Sequence, residues 1–325
     1  MKQSLPGELT RRKRSHGTFR RPWQLPLVLV LLLFRTAVMA GETPRTLDEI
    51  LATSPRADWL PLDPENTLYL EMPKGRVVIE LTPDFAPQHV ANVKLLAAHH
   101  FYDGMPIERV QDNRVVDMYW PSNLENKVMM RRVGQPRYEV PAEFDRDIDP
   151  SLQFTKLPDA DVYAPEVGFI HDFPVARDPK TGKMWFVHSY GMVGCGRDEG
   201  TNSGGGFELY VVLGQPREWD RNYTLIGRVV SGMELLSALP RGTASHGEYA
   251  NKRQWVPVKS ARLAAAVPPD ERANLEVLRT DGITFREVIE YERNRPGYVL
   301  KAGRVEIANV PIQVRAASSA ASSGK

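Results

Sequence analysis

The sequence predicts a mainly β protein, folded as a closed barrel or a sandwich with few helices. Many short runs of alternating or β-branched residues are separated by Pro- and Gly-rich turns, and two helical patterns are clear among them. Of the 325 residues, 25% are charged and 42% are hydrophobic, which is ordinary for a soluble globular protein. With a single cysteine, Cys195, no internal disulfide is possible, so the core must be sufficient by itself.

The first forty residues have the order of an export signal and are not expected to join the fold. An apolar run over 25–34 follows a basic region, and Val38-Met39-Ala40 precedes Gly41 with small residues at the positions that a signal peptidase requires. The basic residues are Arg11, Arg12, Lys13, Arg14, Arg20 and Arg21. We expect cleavage after Ala40 and no stable membrane span afterwards. The alternative is an uncleaved signal that anchors the chain in the inner membrane.

The next segments predict a hairpin and a helix. Residues 41–66 are Pro-rich and irregular, with a possible short helix over 47–52. Apolar residues alternate over 67–72 and 77–82 around a Pro-Lys-Gly turn, which indicates a β-hairpin. A helix is expected over 86–99, since Pro87 suits a first turn and the apolar residues have helical spacing.

The stretch 101–120, FYDGMPIERVQDNRVVDMYW, carries the first candidate site residue. If its centre is a regular strand, Ile107 and Arg109 point to one face while Glu108 and Val110 point to the other. A guanidinium on a largely apolar strand is energetically costly unless it is paired with an acceptor or has a role in binding or catalysis. An exposed strand arginine without a function is the alternative.

After this stretch the chain loses its periodicity. Residues 121–183 are rich in Pro and Asp and are expected to form an extended loop or small insert, with a possible short strand within 138–144. Residues 185–197 are expected to form one buried strand that enters a glycine-rich bend. The segments 207–214 and 224–230 are strongly β-prone.

The last third of the chain predicts one further helix, a strand and an extension. Residues 231–239 indicate a helix capped by Ser231, and 256–264 indicate a strand. Beyond Val267 we expect helices over 269–279 and 283–293 and a strand over 305–314. Because 268–316 offers little apolar area for independent folding, it should pack on the rest of the protein. A disordered tail is expected over 317–325.

Several strings, in order, resemble the cyclophilins, the family of cyclophilin-type peptidyl-prolyl cis–trans isomerases. FAPQHVANVKLLAAHHFYDG is similar to the family's helix followed by Tyr-Asp-Gly, and GGFELYVVLG is similar to its Gly-Ser-Gln-Phe-Phe strand. RNYTLIGRVVSGMELL is similar to its terminal strand and helix. The resemblance covers about residues 67–264 and assigns 67–267 to one domain. It implies a closed eight-stranded antiparallel barrel capped by two α-helices, and with the export signal it implies a periplasmic bacterial member.

The resemblance also implies a site. Arg109 matches the family's catalytic arginine. Positions that match residues lining the proline pocket or contacting the substrate backbone are Val115, Tyr210, Trp219, Tyr223, Gly196 and Arg197.

Three further positions depart from the family pattern and bring charge to the site. Arg114 replaces an aromatic residue, Asp117 replaces the glutamine that hydrogen-bonds the catalytic arginine, and Glu208 replaces a second glutamine. Met118-Tyr119-Trp120 stands where the family has Gly-Gly-Asp.

Isomerisation of an X–Pro bond breaks no bond, so no cofactor or metal is expected. Rival sites are weak: Cys195 and His188 lie in a predicted buried segment, and the histidines lack metal-ligand spacing. Without a sustained basic patch, nucleic-acid binding is not expected.

Two hypotheses remain at this point. The first is an isomerase acting on proline-containing, unfolded or partly folded exported polypeptides. The second is a chaperone or binding module for proline-containing segments, with weak or no catalysis. The sequence does not indicate an oligomeric state.

Overall fold

The protein is described here by a computed structural model covering residues 45–121, 137, 139–198 and 203–317. The predicted signal peptide, 1–40, and nearly all of the predicted tail lie outside these residues. Ala317, the first residue of that tail, donates its N–H to the carbonyl of Asn274 at 2.8 Å. No helix among the described residues is long and apolar enough to cross a membrane.

The secondary structure is mainly β. The helices and strands follow in chain order: α1 (Leu47–Ala52), β1 (Trp59–Pro61), β2 (Thr67–Met72), β3 (Gly75–Leu81), α2 (Pro87–Ala98), β4 (Pro106–Gln111), β5 (Val115–Met118), β6 (Arg146–Asp147), β7 (Phe154–Lys156), β8 (Glu166–Ile170), β9 (Phe173–Asp178), β10 (Lys183–Phe186), β11 (Met192–Cys195), β12 (Leu209–Val212), β13 (Thr224–Ser231), α3 (Met233–Ser237), β14 (Val256–Pro257), β15 (Ser260–Leu263), β16 (Leu275–Leu278), α4 (Ile283–Arg293) and β17 (Val314–Ala316).

The main sheet is antiparallel and has nine strands, in the order β14-β4-β5-β12-β11-β13-β3-β2-β15. Its two edge strands are separated in the chain only by Val258 and Lys259, so the sheet must curl until its edges come near each other. The strand ladder nevertheless stays open, and the prediction of a closed eight-stranded barrel is wrong in this respect. The reason is local: the segment predicted as one strand over 256–264 is divided, and its halves pair with β4 and β2.

The concave side of this curled sheet holds the main hydrophobic core. The predicted hairpin is confirmed by β2 and β3, which pair in register from Thr67 opposite Glu80 to Met72 opposite Gly75. Helix α2, also confirmed, buries Val90, Val93 and Leu96 in this core. Helix α3 contributes Leu236, but its N-cap is Gly232 in the left-handed region; Ser231 ends β13 and does not cap the helix.

The segment predicted as an extended loop or small insert contains a second antiparallel sheet with the order β6-β10-β9-β8-β7, and we call it the insert. Its strands are short and are joined by polar turns, which is why their alternation is hard to recognise in the sequence. No strand is present among the described residues of 138–144. The single strand predicted over 185–197 is two: Phe186 ends β10 in the insert, and Met192 begins β11 in the main sheet.

The N-terminal segment and the C-terminal extension form a third sheet, β1-β16-β17, accompanied by α1 and α4. The helices over 47–52 and 283–293 are confirmed. The helix predicted over 269–279 is wrong, since its apolar residues lie on β16, which pairs with β1 and β17. Most of the strand predicted over 305–314 is a short 3₁₀ helix, Ile307–Asn309, and a coil. Val277 packs with Tyr69 and Val78 of the main sheet, so this extension does contact the barrel-like sheet.

Candidate active site

A β-bulge in β4 sets the direction of Arg109. Ile107 pairs with Met118 and Arg109 pairs with Asp117, so Glu108 is an extra residue opposite one step of β5. Ile107 and Val110 are therefore both fully buried in the main core, while Arg109 is half-buried and points away from it. The prediction that Ile107 and Arg109 share a face is wrong, because it assumed a strand without a bulge.

The guanidinium of Arg109 is held by three acceptors. Nη2 donates to Gln111 Oε1 at 2.6 Å, Nε donates to the carbonyl oxygen of His246 at 2.7 Å, and Nη1 lies 3.4 Å from Asp117 Oδ2. A guanidinium has five N–H groups. Within the described residues, donors on Arg109 therefore remain for a ligand, and the side chain is 23% exposed.

Beneath Arg109, the carboxyl groups of Asp117 and Glu208 interact with each other. Asp117 is 2% exposed, and its pKa is raised well above the usual range by burial and by the charge of Glu208. Burial also raises the pKa of Glu208. Two carboxylates this close cannot both ionise readily, so we assign a shared proton to the pair, with Asp117 as the protonated member.

Two glycines, one on β11 and one just after it, allow bulky side chains to lie directly over the backbone. A Cβ at Gly196 would lie 2.1 Å from Glu208 Cδ, and a Cβ at Gly194 would lie 2.3 Å from the ring of Tyr210. The small residues of this segment are thus a packing requirement of the site. They place the carboxyl group of Glu208 over Gly196, where the resemblance implies contact with a substrate backbone.

Tyr210 is the centre of a buried aromatic group. Its hydroxyl is 2.9 Å from His188 Nε2, and its ring makes edge contacts with Trp219 and Tyr223 at centroid distances of 5.9 and 6.0 Å. His188 Nδ1 is in turn 3.1 Å from Asp220. Tyr210 is 3% exposed.

Val115, at 1% exposure, belongs to the same apolar cluster as Tyr210. That cluster also contains residues of the insert sheet, namely Ile170, Phe173, Val175, Met184 and Phe186. Both predicted pocket residues therefore lie behind the surface, beneath the insert. Trp219 and Tyr223 are half-buried and form the accessible aromatic surface of the site, which we call the wall.

Two arginines border this wall. Arg114 pairs with Glu218, and its guanidinium carbon is 5.9 Å from the ring centroid of Trp219, so its charged group lies between this ring and the surface carboxylate. Arg197 lies 5.0 Å from the Tyr223 ring and 5.7 Å from the Phe144 ring, and it donates to the carbonyl of Asn222. Phe144 precedes the insert sheet, which thereby borders the site.

Comparison with known proteins identifies the family. The model of the family described as cyclophilin type peptidyl-prolyl cis-trans isomerase matches residues 67–263, more than half of the chain. The chain belongs to the cyclophilin-type isomerase family. This confirms the resemblance and assigns the chain to a class of enzymes.

The individual relatives share less than a third of their aligned residues with this chain. A probable peptidyl-prolyl cis-trans isomerase of Brucella suis biovar 1 (strain 1330) is 28% identical over 193 residues, or 58% of this chain and 79% of the relative. A protein of the same description from Brucella abortus (strain 2308) is 27% identical over the same length. Among solved structures, the cyclophilin AquaCyp293 from Hirschia baltica aligns with a TM-score of 0.63 at 23% identity, covering 85% of this chain and all of that one. This likeness extends the shared fold well beyond the family domain.

The cyclophilin site contains residues that the sequence reasoning missed. Gln111 is two positions after Arg109, a spacing that places both on one strand face beyond the bulge, and this signal was available. His246, with φ of 57°, contributes only a backbone oxygen, so no side-chain pattern could have identified it. His188, which the sequence offers with Cys195 only as a weak rival site, contacts Tyr210.

The rival thiol site has no support in this cyclophilin. Cys195 is fully buried in the main core, and burial raises the pKa of its thiol, so the reactive thiolate is disfavoured. Within the described ranges, no group of three His, Cys, Asp or Glu side chains is arranged to hold a metal ion.

Proposed function

We propose that this cyclophilin accelerates cis–trans isomerisation of X–Pro bonds in exported polypeptides, with Arg109 donating to the prolyl nitrogen. The observation that carries the proposal is the state of Arg109: its side chain is 23% exposed and held by three acceptors, and some of its N–H donors are left for a ligand. The family assignment supports the reaction type, and the geometry supports the role of the arginine.

The reaction needs no group other than a well-placed donor. Rotation about an X–Pro bond crosses a barrier of about 20 kcal/mol because amide resonance must be broken. In the twisted state the prolyl nitrogen regains its lone pair and can accept a hydrogen bond that the planar amide cannot. A guanidinium fixed in advance stabilises that state selectively. A reduction of about 7 kcal/mol corresponds to roughly 10⁵-fold acceleration.

Asp117, as the protonated member of the pair, supports Arg109 without competing for its charge. If Asp117 were ionised, its carboxylate would compete with the substrate for the guanidinium and would weaken its field. A protonated Asp117 accepts a hydrogen bond as the amide oxygen of glutamine would, and it carries no charge. The raised pKa of Asp117, which follows from burial and from Glu208, favours this neutral form.

The substrate proline would contact the exposed part of the wall. Trp219 and Tyr223 present ring surface, and the guanidinium of Arg114 lies 5.9 Å from the ring centroid of Trp219. Val115 and Tyr210 support these side chains from behind. Gly196 and Arg197 would border the residues that precede the proline.

A second candidate function is binding of proline-containing segments without useful catalysis. It is favoured by the burial of Val115 and Tyr210, which leaves a shallower proline site than an open pocket would provide. Under this alternative Arg109 contributes to binding only.

A protease-coupled proline-peptide assay on the purified protein distinguishes the two. We expect catalysis in the wild type and its near-complete loss in Arg109→Ala, with the folded state verified by circular dichroism. Arg253→Ala, which removes an exposed arginine outside the site, is the matched control and should keep full activity. Equal activity in Arg109→Ala and the wild type would give first place to the binding function.

Export is proposed on the sequence alone, from the basic, apolar and small-residue order of residues 1–40. The mature protein should begin at Gly41 and act in the periplasm. N-terminal sequencing of protein from a periplasmic extract tests this; recovery of Met1, or fractionation with the inner membrane, would instead support an uncleaved anchor.

A further inference from the structure

The loop after α4, residues 297–304, exposes three consecutive apolar side chains. Tyr298, Val299 and Leu300 are 62%, 99% and 87% exposed. Single exposed apolar residues are common on protein surfaces, but a run of three that is nearly free of contacts costs solubility and usually marks an interaction site. None of the contacts described above for Arg109 involves this loop.

The loop is held at its base and projects outward. The N–H of Gly303 donates to the carbonyl of Arg293 at 3.0 Å, and Arg293 Nη2 donates to the carbonyl of Gly303 at 2.8 Å. Asp159 of the insert binds Arg293 and the N–H of Val305, which fixes this base to the rest of the protein. Gly297 and Gly303 have φ of 91° and 65° and have open space around them, as the ends of a projecting loop require.

The charges of the loop are all positive. Lys301 and Arg304 are exposed and form no ion pair with the described residues, whereas Arg293 and Arg295 at its base are paired with Asp159, Glu290 and Glu292. The sequence of the loop contains no acidic residue. A projecting apolar tip therefore stands next to two free cations.

We propose that the 297–304 loop docks on an anionic phospholipid bilayer, with Val299 and Leu300 entering the headgroup–acyl boundary. Tyrosine prefers this interfacial depth, and Lys301 and Arg304 complement anionic headgroups. A folded protein partner fits less well, because a specific protein interface buries about 800 Å² on each side and needs a complementary surface larger than one loop tip. The inference is independent of the isomerase activity.

A fluorescent label at the tip tests the docking directly in the full chain. The single native cysteine, Cys195, is fully buried, so a cysteine introduced by Leu300→Cys can be labelled selectively with a polarity-sensitive dye. We expect a blue shift and a gain in intensity with phosphatidylglycerol-containing vesicles, and quenching by spin-labelled lipids. The same dye at Lys74→Cys, in the exposed β2–β3 turn, is the matched control and should show neither change.

Charge variants test the lipid preference. In the Leu300→Cys background, Lys301→Ser with Arg304→Ser should lower partitioning to anionic vesicles about 25-fold, since each cation near the surface contributes roughly fivefold. Lys252→Ser with Arg253→Ser removes the same charge elsewhere and should leave partitioning unchanged. High salt should weaken binding of the parent chain.

Two outcomes would overturn the proposal. One is an unchanged dye spectrum at residue 300 in a sample that cosediments with vesicles, because the chain would then bind through another segment. The other is a spectral change that depends on protein concentration without lipid, which would identify the loop as a contact between copies of the chain.

Discussion

Two arginines of this cyclophilin each face two carboxyl groups, and the two clusters are built for different purposes. Arg228 on β13 donates from Nε to Asp172 at 2.9 Å and from Nη2 to the same carboxylate at 2.5 Å, with Glu80 at 3.3 Å. Arg109 approaches Asp117 only to 3.4 Å. The side chain of Arg228 is 8% exposed, whereas that of Arg109 is 23% exposed.

Each cluster holds one carboxyl with a strongly raised pKa, and the clusters differ in where that carboxyl lies. Burial, together with the charge of Asp172, raises the pKa of Glu80, the more distant partner of Arg228. Burial alone would raise the pKa of Asp172, but the charge of Arg228 and several hydrogen bonds outweigh burial and lower it. For Asp117, burial and Glu208 outweigh Arg109, and the pKa is raised. The ionised Asp172 therefore binds Arg228 directly and joins β13 to the insert, whereas the carboxyl nearest to Arg109 is the protonated one, which leaves this guanidinium available to a ligand.

The largest effect is expected where the close pair is broken. Arg228→Met leaves Asp172 buried without its cation, which should lower the free energy of unfolding by about 3–5 kcal/mol. Urea unfolding followed by circular dichroism measures this. Arg45→Met is the control, because it breaks an exposed pair with Glu287 that is expected to contribute about 0–1 kcal/mol. Equal losses of unfolding free energy in the two variants would show that the buried pair stabilises the fold no more than the exposed pair does.

The same type of change at the looser cluster should affect activity and leave stability nearly unaltered. Arg109→Lys keeps the charge but loses the planar fork that contacts Gln111, Asp117 and His246, so kcat/KM should fall about 10²-fold. The free energy of unfolding should stay within about 1 kcal/mol of the wild type. A loss of stability as large as that of Arg228→Met would contradict the distinction between the clusters.

The sequence correctly predicted the family, the hairpin and four of the five helices that it indicated, because these depend on local patterns. It failed where long-range pairing decides. Leu275, Val277 and Leu278 have spacing compatible with a helix, and only pairing with β1 makes them a strand. Glu108 looks like any alternating strand residue until the register of β5 is known. The burial of Val115 and Tyr210 could not be foreseen, because it depends on an insert whose sheet the sequence did not indicate.

The protonated state of Asp117 can be tested through the pH dependence of stability. Because its pKa is raised on folding, its stabilising contribution is complete below the ordinary carboxyl pKa of about 3.9 and is lost as pH rises through the raised value. Asp117→Asn cannot ionise, so its stability relative to the wild type should grow from about pH 4 upward, by at most about 1.4 kcal/mol per pH unit.

Asp103 provides a control of opposite sign. Burial opposes its ionisation, but hydrogen bonds from Arg262 and Ala261 outweigh burial and lower its pKa. Its contribution is present above the ordinary pKa and is lost as pH falls through the lowered one. Asp103→Asn should thus be less stable than the wild type at neutral pH, with a difference that shrinks below about pH 4. Parallel pH profiles for Asp103→Asn and Asp117→Asn would contradict a protonated Asp117.

The smallest effect on kcat/KM is expected at Arg114, next to the aromatic side chain of Trp219. Arg114→Phe restores an aromatic residue next to Trp219 and should raise kcat/KM by less than about tenfold, since the wall gains apolar area and the lost pair with Glu218 is exposed. Glu218→Gln breaks the same pair but keeps the arginine side chain, so it should not reproduce the gain.

Adding Asp117→Gln to Arg114→Phe should change the rate little further, because a protonated Asp117 is already neutral. A large additional gain in the double variant would mean that Asp117 is ionised and competes with the substrate for Arg109. Kinetics of the single and double variants on one proline peptide, compared as a double-mutant cycle, distinguish a protonated from an ionised Asp117.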